Sequence, residues 1–533
     1  MSSPNVQTFE RDRSLYVAGQ NSSASAMVGL FRWGPVNKAI RITTDEKELL
    51  QKFGRPNNEV SQFFLSAANY LKYANPLFVV RAIDDLVAKN ADSSGTGVLI
   101  KNESELETTD TTGKAFIAKY PGALGNSLKV SVADNFDYDN WAYAGEFQYV
   151  PEEGEFNLVV VDEGGLISGS KGAILESYEL MTNVQGSKKP DGTSAFIEKV
   201  LMEQSEYIYL GDFSAVLLDE TGSEGVFEAS FSGGVDGNDS TAADFDTAIQ
   251  VLSNKEKLDF ISAFASVMPA TSVASLIDLC DQRQDCKTHF APELSDVLNN
   301  ASALEDVKDY FNSTINKNTS YAFGSDNWKK VYDKYNDTNV WIPCDSDTAG
   351  LEARTFARNE PWFSFAGLNR GQLLNAIELA WNPDETTRNE LYKYNINSIV
   401  DFEGEGKVLF GDKTMLKRPS AFSRVNVRNL FIVVKKSIAR AARYQLFEFN
   451  DQITRSSFKN SSDRYLGGVQ GRRGIRRFKV VADDTNNTEQ VIDNFEFVGD
   501  IMIDPARSIN NIRLNFTAVG AGVSFEEIEG ESF

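Results

Sequence analysis

EVSQFFLSAANYLKYANPLFVVRAI, residues 59–83, decides the class of fold. Val60, Phe63, Phe64, Ala67 and Leu71 recur at helical spacing, and NPLFVVRAI behind them reads as a short buried strand. A helix feeding directly into a buried strand is the repeating unit of an α/β layer. Downstream, from about 85 to 232, the texture changes to short β-type runs (GVLI, SLKVSVAD, FNLVVVDE) divided by Gly, Asn and Asp clusters. That stretch reads as a β-rich insertion, and SGGVDGNDST at 232–241 as its exit loop. Helical signals then return. TAADFDTAIQVLSN starts at a Thr- and Asp-rich N-cap region, and ATSVASLIDLCDQRQ follows the apolar run LDFISAFASV.

At 533 residues the chain is too long for one hydrophobic core. The expectation is a multidomain α+β and α/β protein. Residues 21–84 with 235–358 form a discontinuous middle α/β domain, 85–234 a β-rich outer insertion and 359–512 an α+β domain. Residues 1–20 and 513–533 form extended terminal segments. RLNFTAVGAGVSFEE, 513–527, alternates Leu514, Phe516 and Ala518 with polar residues, breaks at Gly520 and Gly522, then resumes with Val523 and Phe525. Only an acidic tail follows this strand, and natural proteins rarely leave a strand edge bare.

Apolar residues make up 41% of the chain and aromatics 11%, ample for buried cores. MSSPNVQTFERDRS lacks a basic stretch followed by an apolar one, and runs such as LFIVV at 430–434 are far too short to span a bilayer. The expectation is a protein that starts soluble and cytoplasmic, with no direct membrane insertion. Cys280, Cys286 and Cys344 fit neither a disulfide framework nor a zinc spacing. A net charge of −23 argues against nucleic acid or anionic lipid as the main partner. Yet between Lys407 and Lys479 there are eighteen Lys or Arg against four acids (Asp412, Glu448, Asp451, Asp463), so one segment is built to meet negative charge. At its centre, LFIVVKKSIARAARYQLFEFND (430–451) places Val434, Ile438, Ala441, Ala442, Leu446 and Phe449 on one helical face. Lys436, Arg440 and Arg443 fall on the opposite, outward one.

Catalytic chemistry has little support. The one histidine, His289, lies in CKTHFAPE without an adjacent nucleophile signature and reads as structural. No G-x-S-x-G, HExxH or GxxxxGK[ST] motif occurs, and GEGKVLFGDKT at 404–414 has its glycines and lysine in the wrong order. Asp345 and Asp347 in PCDSDTAG read as a polar loop, not as a metal site. The cluster GRRGIRRF, 471–478, fits an acidic protein partner better than phosphate. No catalytic, cofactor-binding or metal residue is expected.

Several stretches together resemble the tail sheath proteins of contractile-tailed bacteriophages. They are SAMVGLFRWGPVNKA with LLQKFGRP near the start, AKYPGALGNSLKVSVAD (118–134), SGGVDG, and, most specifically, WIPCDSDTAGLEARTFARNEPWFSFAGLNRGQL (341–373). LYKYNINSIVDFEGEGKVLFGDKTM, VNVRNLFIVVKKSIARAARYQLFEFND and IDPARSINNIRLNFTAV follow in order. The resemblance implies a virion tail protein, assembled in the host cytoplasm as stacked hexameric rings around a tail tube. It contracts from a metastable extended state to drive the tube through the host envelope. Its partners would be other copies of itself, the tail tube protein, and baseplate and tail terminator proteins. A sheath of a tailocin or extracellular injection particle is the alternative.

In that family, 359–512 corresponds to the inner, tube-side domain, whose sheet gains strands from neighbours' terminal arms. Here the arms would be Val6, Thr8 and Phe9 at one end and Val523, Phe525, Glu526 and Glu527 at the other, with Gly520 and Gly522 as the hinge. The alternative is a terminal strand that closes its own subunit's sheet. Lys436, Arg440 and Arg443 are candidates for the tube-facing surface, or else for pairing with acids of an adjacent subunit.

Overall fold

The computed structural model describes residues 23–136, 138–216 and 226–510. Its central element is a six-stranded sheet in the order Ala322–Gly324, Lys287–Phe290, Ser262–Phe264, Ser25–Gly29, Leu77–Arg81, Ala39–Ile42. Five strands run parallel, and Ala39–Ile42 closes one edge antiparallel. Parallel neighbours require long crossovers, which bury both faces of the sheet. Ala26, Met27, Val28, Val79, Val80, Phe264 and Phe290 are accordingly buried. The helix Ser61–Leu71 leads into Leu77–Arg81, as its periodicity requires.

The strands Leu77–Arg81 and Ser262–Phe264 flank Ser25–Gly29, so everything between them in sequence is one excursion from the sheet. It leaves and returns through a neck of paired backbone, Lys89 bridging Val235 and Asp92 bridging Ser232. Buried Arg81 ties the base of that neck to the sheet by donating to the carbonyls of Gly34 (2.9 Å) and Pro121 (2.8 Å). The excursion folds as an antiparallel sheet ordered Ala173–Met181, Phe156–Asp162, Leu128–Asp134, Val226–Ser230, with a smaller pair Phe116–Ala118 and Ile208–Leu210. GVLI, which reads as a strand, contributes only a bridge from Val98 to Asn90.

After the return, the helix Ala242–Val251 opens on a capping box in which Thr241 and Asp244 satisfy each other's backbone N–H groups. Ala270–Arg283 follows as a second helix. Asp345 and Asp347 do not lie in a loop. They form the first turn of the helix Asp345–Arg358 and are fully buried. This helix lies close against Tyr73: a Cβ at Gly350 would sit 2.7 Å from that ring, so only glycine fits there.

The last third has its own core, built from Trp362, Leu430, Val434, Ile438, Phe458, Leu466, Val469, Ile475 and Val480. It comprises the helices Val425–Ala442 and Gln452–Gly471 and an antiparallel pair, Ile475–Val481 with Asp500–Pro505. The first helix ends earlier than its apolar periodicity suggests. Residues 443–445 form a tight 3-10 turn, Phe447 takes φ 70°, and Asp451 caps the next helix through the N–H of Thr454 (2.8 Å). Leu446 and Phe449 are therefore exposed instead of extending the buried face. The chain is thus a multidomain protein of mixed helices and sheets.

Candidate functional site

The terminal segments are anchored where the described chain begins and ends. The Ser23 carbonyl accepts from Tyr70 Oη (2.9 Å), and Ser23 Oγ donates to the Asn75 carbonyl (3.1 Å), just before the chain enters the central sheet at Ser25. At the other end, Asn510 Nδ2 donates to Tyr392 Oη (2.9 Å) and Ser508 Oγ to Asp412 Oδ2 (2.9 Å). Asp412 is held in turn by Arg424 (2.7 Å). Val6, Thr8, Phe9, Gly520, Gly522, Val523, Phe525, Glu526 and Glu527 lie outside the described residues.

Shortly before Ser508 in the chain comes the antiparallel pair Ile475–Val481 and Asp500–Pro505. Among the described residues no third strand pairs with either outer edge of the ladder. One face packs inward: Phe478 pairs with Ile503 and Val480 with Ile501, all against the core of the helices Val425–Ala442 and Gln452–Gly471. An isolated two-stranded ribbon is marginal in water, and this one depends on that packing.

The cations of the helix Val425–Ala442 divide. Lys436 does not point outward. Its side chain is only 11% exposed and binds Asp259 (2.9 Å), Asp285 (3.5 Å) and the Phe260 carbonyl (2.8 Å), joining the helix to the central α/β unit. Those acids come from distant segments, which helical periodicity cannot register. Arg440 is 54% exposed and reaches Asp259 at 3.8 Å, while Arg443 is exposed. Of the three candidates, Arg440 and Arg443 are the ones that remain outward.

Beneath this helix lies a buried polar network that the sequence did not reveal. Lys287, on a strand of the central sheet, binds Glu352 of the helix Asp345–Arg358 and also Asn429 Oδ1 (2.6 Å) of the helix Val425–Ala442. Asn429 Nδ2 donates to Glu352 (2.6 Å). His289 sits between the Thr348 hydroxyl (2.8 Å) and the second Glu352 oxygen (2.9 Å). Burial works to raise the Glu352 carboxyl, but Lys287 and His289 outweigh it and hold it below the usual range. A parallel tie joins Lys329 to Asp347 (2.8 Å) and Asn69 (2.8 Å). His289 and Glu352 are fully buried, and a general base must reach a substrate's proton. Their geometry clamps three elements together. Among the described residues no group of three or more His, Cys, Asp or Glu could hold a metal ion, and no helix is long and apolar enough to cross a membrane.

Three family models match the chain in succession. They are the domain III N-terminal region of tail sheath protein Gp18 at 24–82, the phage tail sheath protein central domain at 238–415, and the phage tail sheath C-terminal domain at 417–518. The tail sheath protein of Salmonella phage ViI is 32% identical, with 99% of this chain and 97% of that protein covered. The chain belongs to the phage tail sheath family. The tail sheath protein of Enterobacteria phage T4 is 30% identical over 99% of each chain. The crystal structure of a sheath tail protein from Listeria innocua shares the fold. It has a TM-score of 0.58 at 13% identity, with 91% of this chain and 92% of that one covered. The family models leave 83–237 between them, the stretch that holds the neck and the excursion beyond it.

Proposed function

We propose that this chain is the structural subunit of a contractile tail sheath. It polymerises as stacked hexameric rings around a tail tube and contracts to drive that tube through a host envelope. The observation that carries this reading is the antiparallel pair Ile475–Val481 and Asp500–Pro505, which has no third strand among the described residues, in a chain of this family. Terminal arms of neighbouring copies, Val6–Arg11 and Val523–Glu527, supply the missing strands, with Gly520 and Gly522 as the hinge. Backbone ladders hold whatever the outer surfaces do, so subunits can swing as rigid bodies while the lattice stays connected.

The inner domain, 359–512, faces the tube, and Arg440 and Arg443 form its cationic contact. Lys436 keeps a supporting role as the tie to Asp259 and Asp285. The middle domain, 21–84 with 235–358, carries the outer insertion 85–234 toward solvent. The protein is not an enzyme. The energy of contraction is stored in a kinetically trapped extended assembly. Its further partners are the baseplate and tail terminator proteins.

Electron microscopy of the purified full chain tests this reading, with hollow cylinders expected. Truncation after Phe516 should abolish the cylinders while leaving folded monomers with an unchanged circular dichroism spectrum. Cylinders that persist without the arm would refute it.

A further inference from the structure

The connection between the strands Ile475–Val481 and Asp500–Pro505, residues 482–499, holds five acids, Asp483, Asp484, Glu489, Asp493 and Glu496, and no Lys or Arg. Asp484 pairs with Arg455 (2.6 Å), and among the described residues the other four form no ion pair. Within it Phe495 takes φ 60° and is 99% exposed, between Asp493 and Glu496 in sequence. The backbone around that ring is braced. Asn450 Nδ2 donates to the Glu496 carbonyl (2.7 Å), the Asn487 side chain bonds both the N–H and the carbonyl of Val498 (2.8 Å each), and Phe497 packs on Phe458 with ring centroids 5.1 Å apart. An aromatic side chain is thus held out in water among uncompensated acids.

Elsewhere on the same domain, segments 362–412 and 506–510, with Asn426 and Arg473, line a cleft of about 970 Å³. Four arginines line it, Arg370, Arg388, Arg473 and Arg507, and none of them forms an ion pair among the described residues. Of its two acids, Asp412 is already bound to Arg424 (2.7 Å), which leaves Glu385 alone. Phe363 and Phe410 add aromatic surface, Phe410 being 48% exposed. Asn426 is 5% exposed, and its Oδ1 has no hydrogen-bond partner among the described residues. The cleft adjoins the C-terminal end of the helix Gln452–Gly471, where Trp362 Nε1 donates to the Arg472 carbonyl (2.9 Å). The acidic connection adjoins the N-terminal end of that helix, through Asn450. Twenty helical residues span about 30 Å, so one copy cannot fill its own cleft.

We propose that the connection 482–499 of one copy docks in this cleft on a second copy, with Phe495 against Phe363 and Phe410 and with Asp493 and Glu496 among the four arginines. Opposite charge selects the partner surface, and the aromatic ring anchors it. Because the two patches differ, the contact is head-to-tail: each copy offers its acidic connection to one neighbour and its cleft to another. Such a contact propagates into rings or helices instead of closing as a dimer. This inference rests on the polymer proposed above and adds a side-chain contact that owes nothing to the terminal arms.

Full-length chains carrying Glu496→Cys and Arg473→Cys separately, mixed, assembled and treated with a short bis-maleimide, test this contact; the native Cys280, Cys286 and Cys344 are buried and should stay silent. Covalent dimers are expected from the mixture and from neither variant alone. Dimers from a single variant, or cylinders of the mixture without dimers, overturn the docking while the polymer stands. Phe495→Ala covers the case in which the cysteine variants do not assemble. The ring is 99% exposed, so thermal unfolding of the monomer should be unchanged, while the critical concentration for cylinders should rise roughly tenfold or more. A critical concentration within about twofold of the parent's overturns the docking. Asp493→Arg with Glu496→Arg should block cylinders, and adding Arg473→Glu with Arg507→Glu should restore them; failure to restore overturns the cleft as the partner surface. A parent chain that forms no cylinders overturns the polymer, and this contact with it.

Discussion

Replacing Glu352 by Leu removes the acid that three elements share while nearly conserving volume. Lys287 would keep one polar contact, Asn429 Oδ1 at 2.6 Å, around an ammonium with no exposure to solvent. Removing one partner of a buried pair typically costs about 3–5 kcal/mol, because the surviving charge stays desolvated. In a unit of this size, each kcal/mol lowers Tm by about 2–4 °C, so the expected drop is roughly 6 to 20 °C. Differential scanning calorimetry on the chain truncated after Phe516 measures this without interference from polymerisation. The decisive comparison is the double variant Lys287→Met with Glu352→Leu. It removes more polar contacts yet should unfold at a higher temperature than Glu352→Leu alone, because no unpaired charge is left. A double variant less stable than the single would refute the reasoning, as would a single-variant drop of under about 2 °C, less than the 1 kcal/mol typical of an exposed pair.

Asp326 gives a pH test. Its Oδ1 accepts from the Ile399 N–H (2.9 Å), its Oδ2 lacks a partner among the described residues, and burial pushes its pKa up to about 7. The folded chain thus retains a proton that the unfolded chain loses near pH 4, so this contribution to stability is present below about pH 4 and fades as pH rises to 7. Asp326→Asn should flatten the stability profile over that window in urea titrations, and a variant whose profile stays parallel to the parent would contradict it. Charge reversal of Arg440, whose ion pair with Asp259 is long and half-exposed, should cost the monomer no more than about 1 kcal/mol. It should block assembly on tubes while tube-free polymerisation proceeds normally, and sedimentation of mixtures with and without tubes distinguishes the two.

The parts of the fold legible in the sequence were those governed by local rules. Residues 61–71 and 77–81 follow their own periodicity, and Thr241 with Asp244 marks a helix start within four residues. Contacts between distant segments were not legible. The helical repeat places Lys436 opposite the apolar stripe, but Asp259, 177 residues away, draws it inward. Asp345 and Asp347 look like a polar loop until Lys329 and the backbone N–H of Ser266 are brought to them. Leu446 and Phe449 continue an apolar repeat whose helix has already ended at Ala442. Of the candidate site, the basic surplus between 407 and 479 was plain, but not its division between buried ties and outward arginines.

The neck at Lys89–Val235 and Asp92–Ser232 has an evolutionary consequence. Because the two crossings lie side by side, whatever hangs beyond them can be lengthened, replaced or lost by recombination without shifting the strand order of the body it leaves. The excursion can thus diverge in length and sequence far more freely than the parallel sheet, whose strand order every crossover must respect.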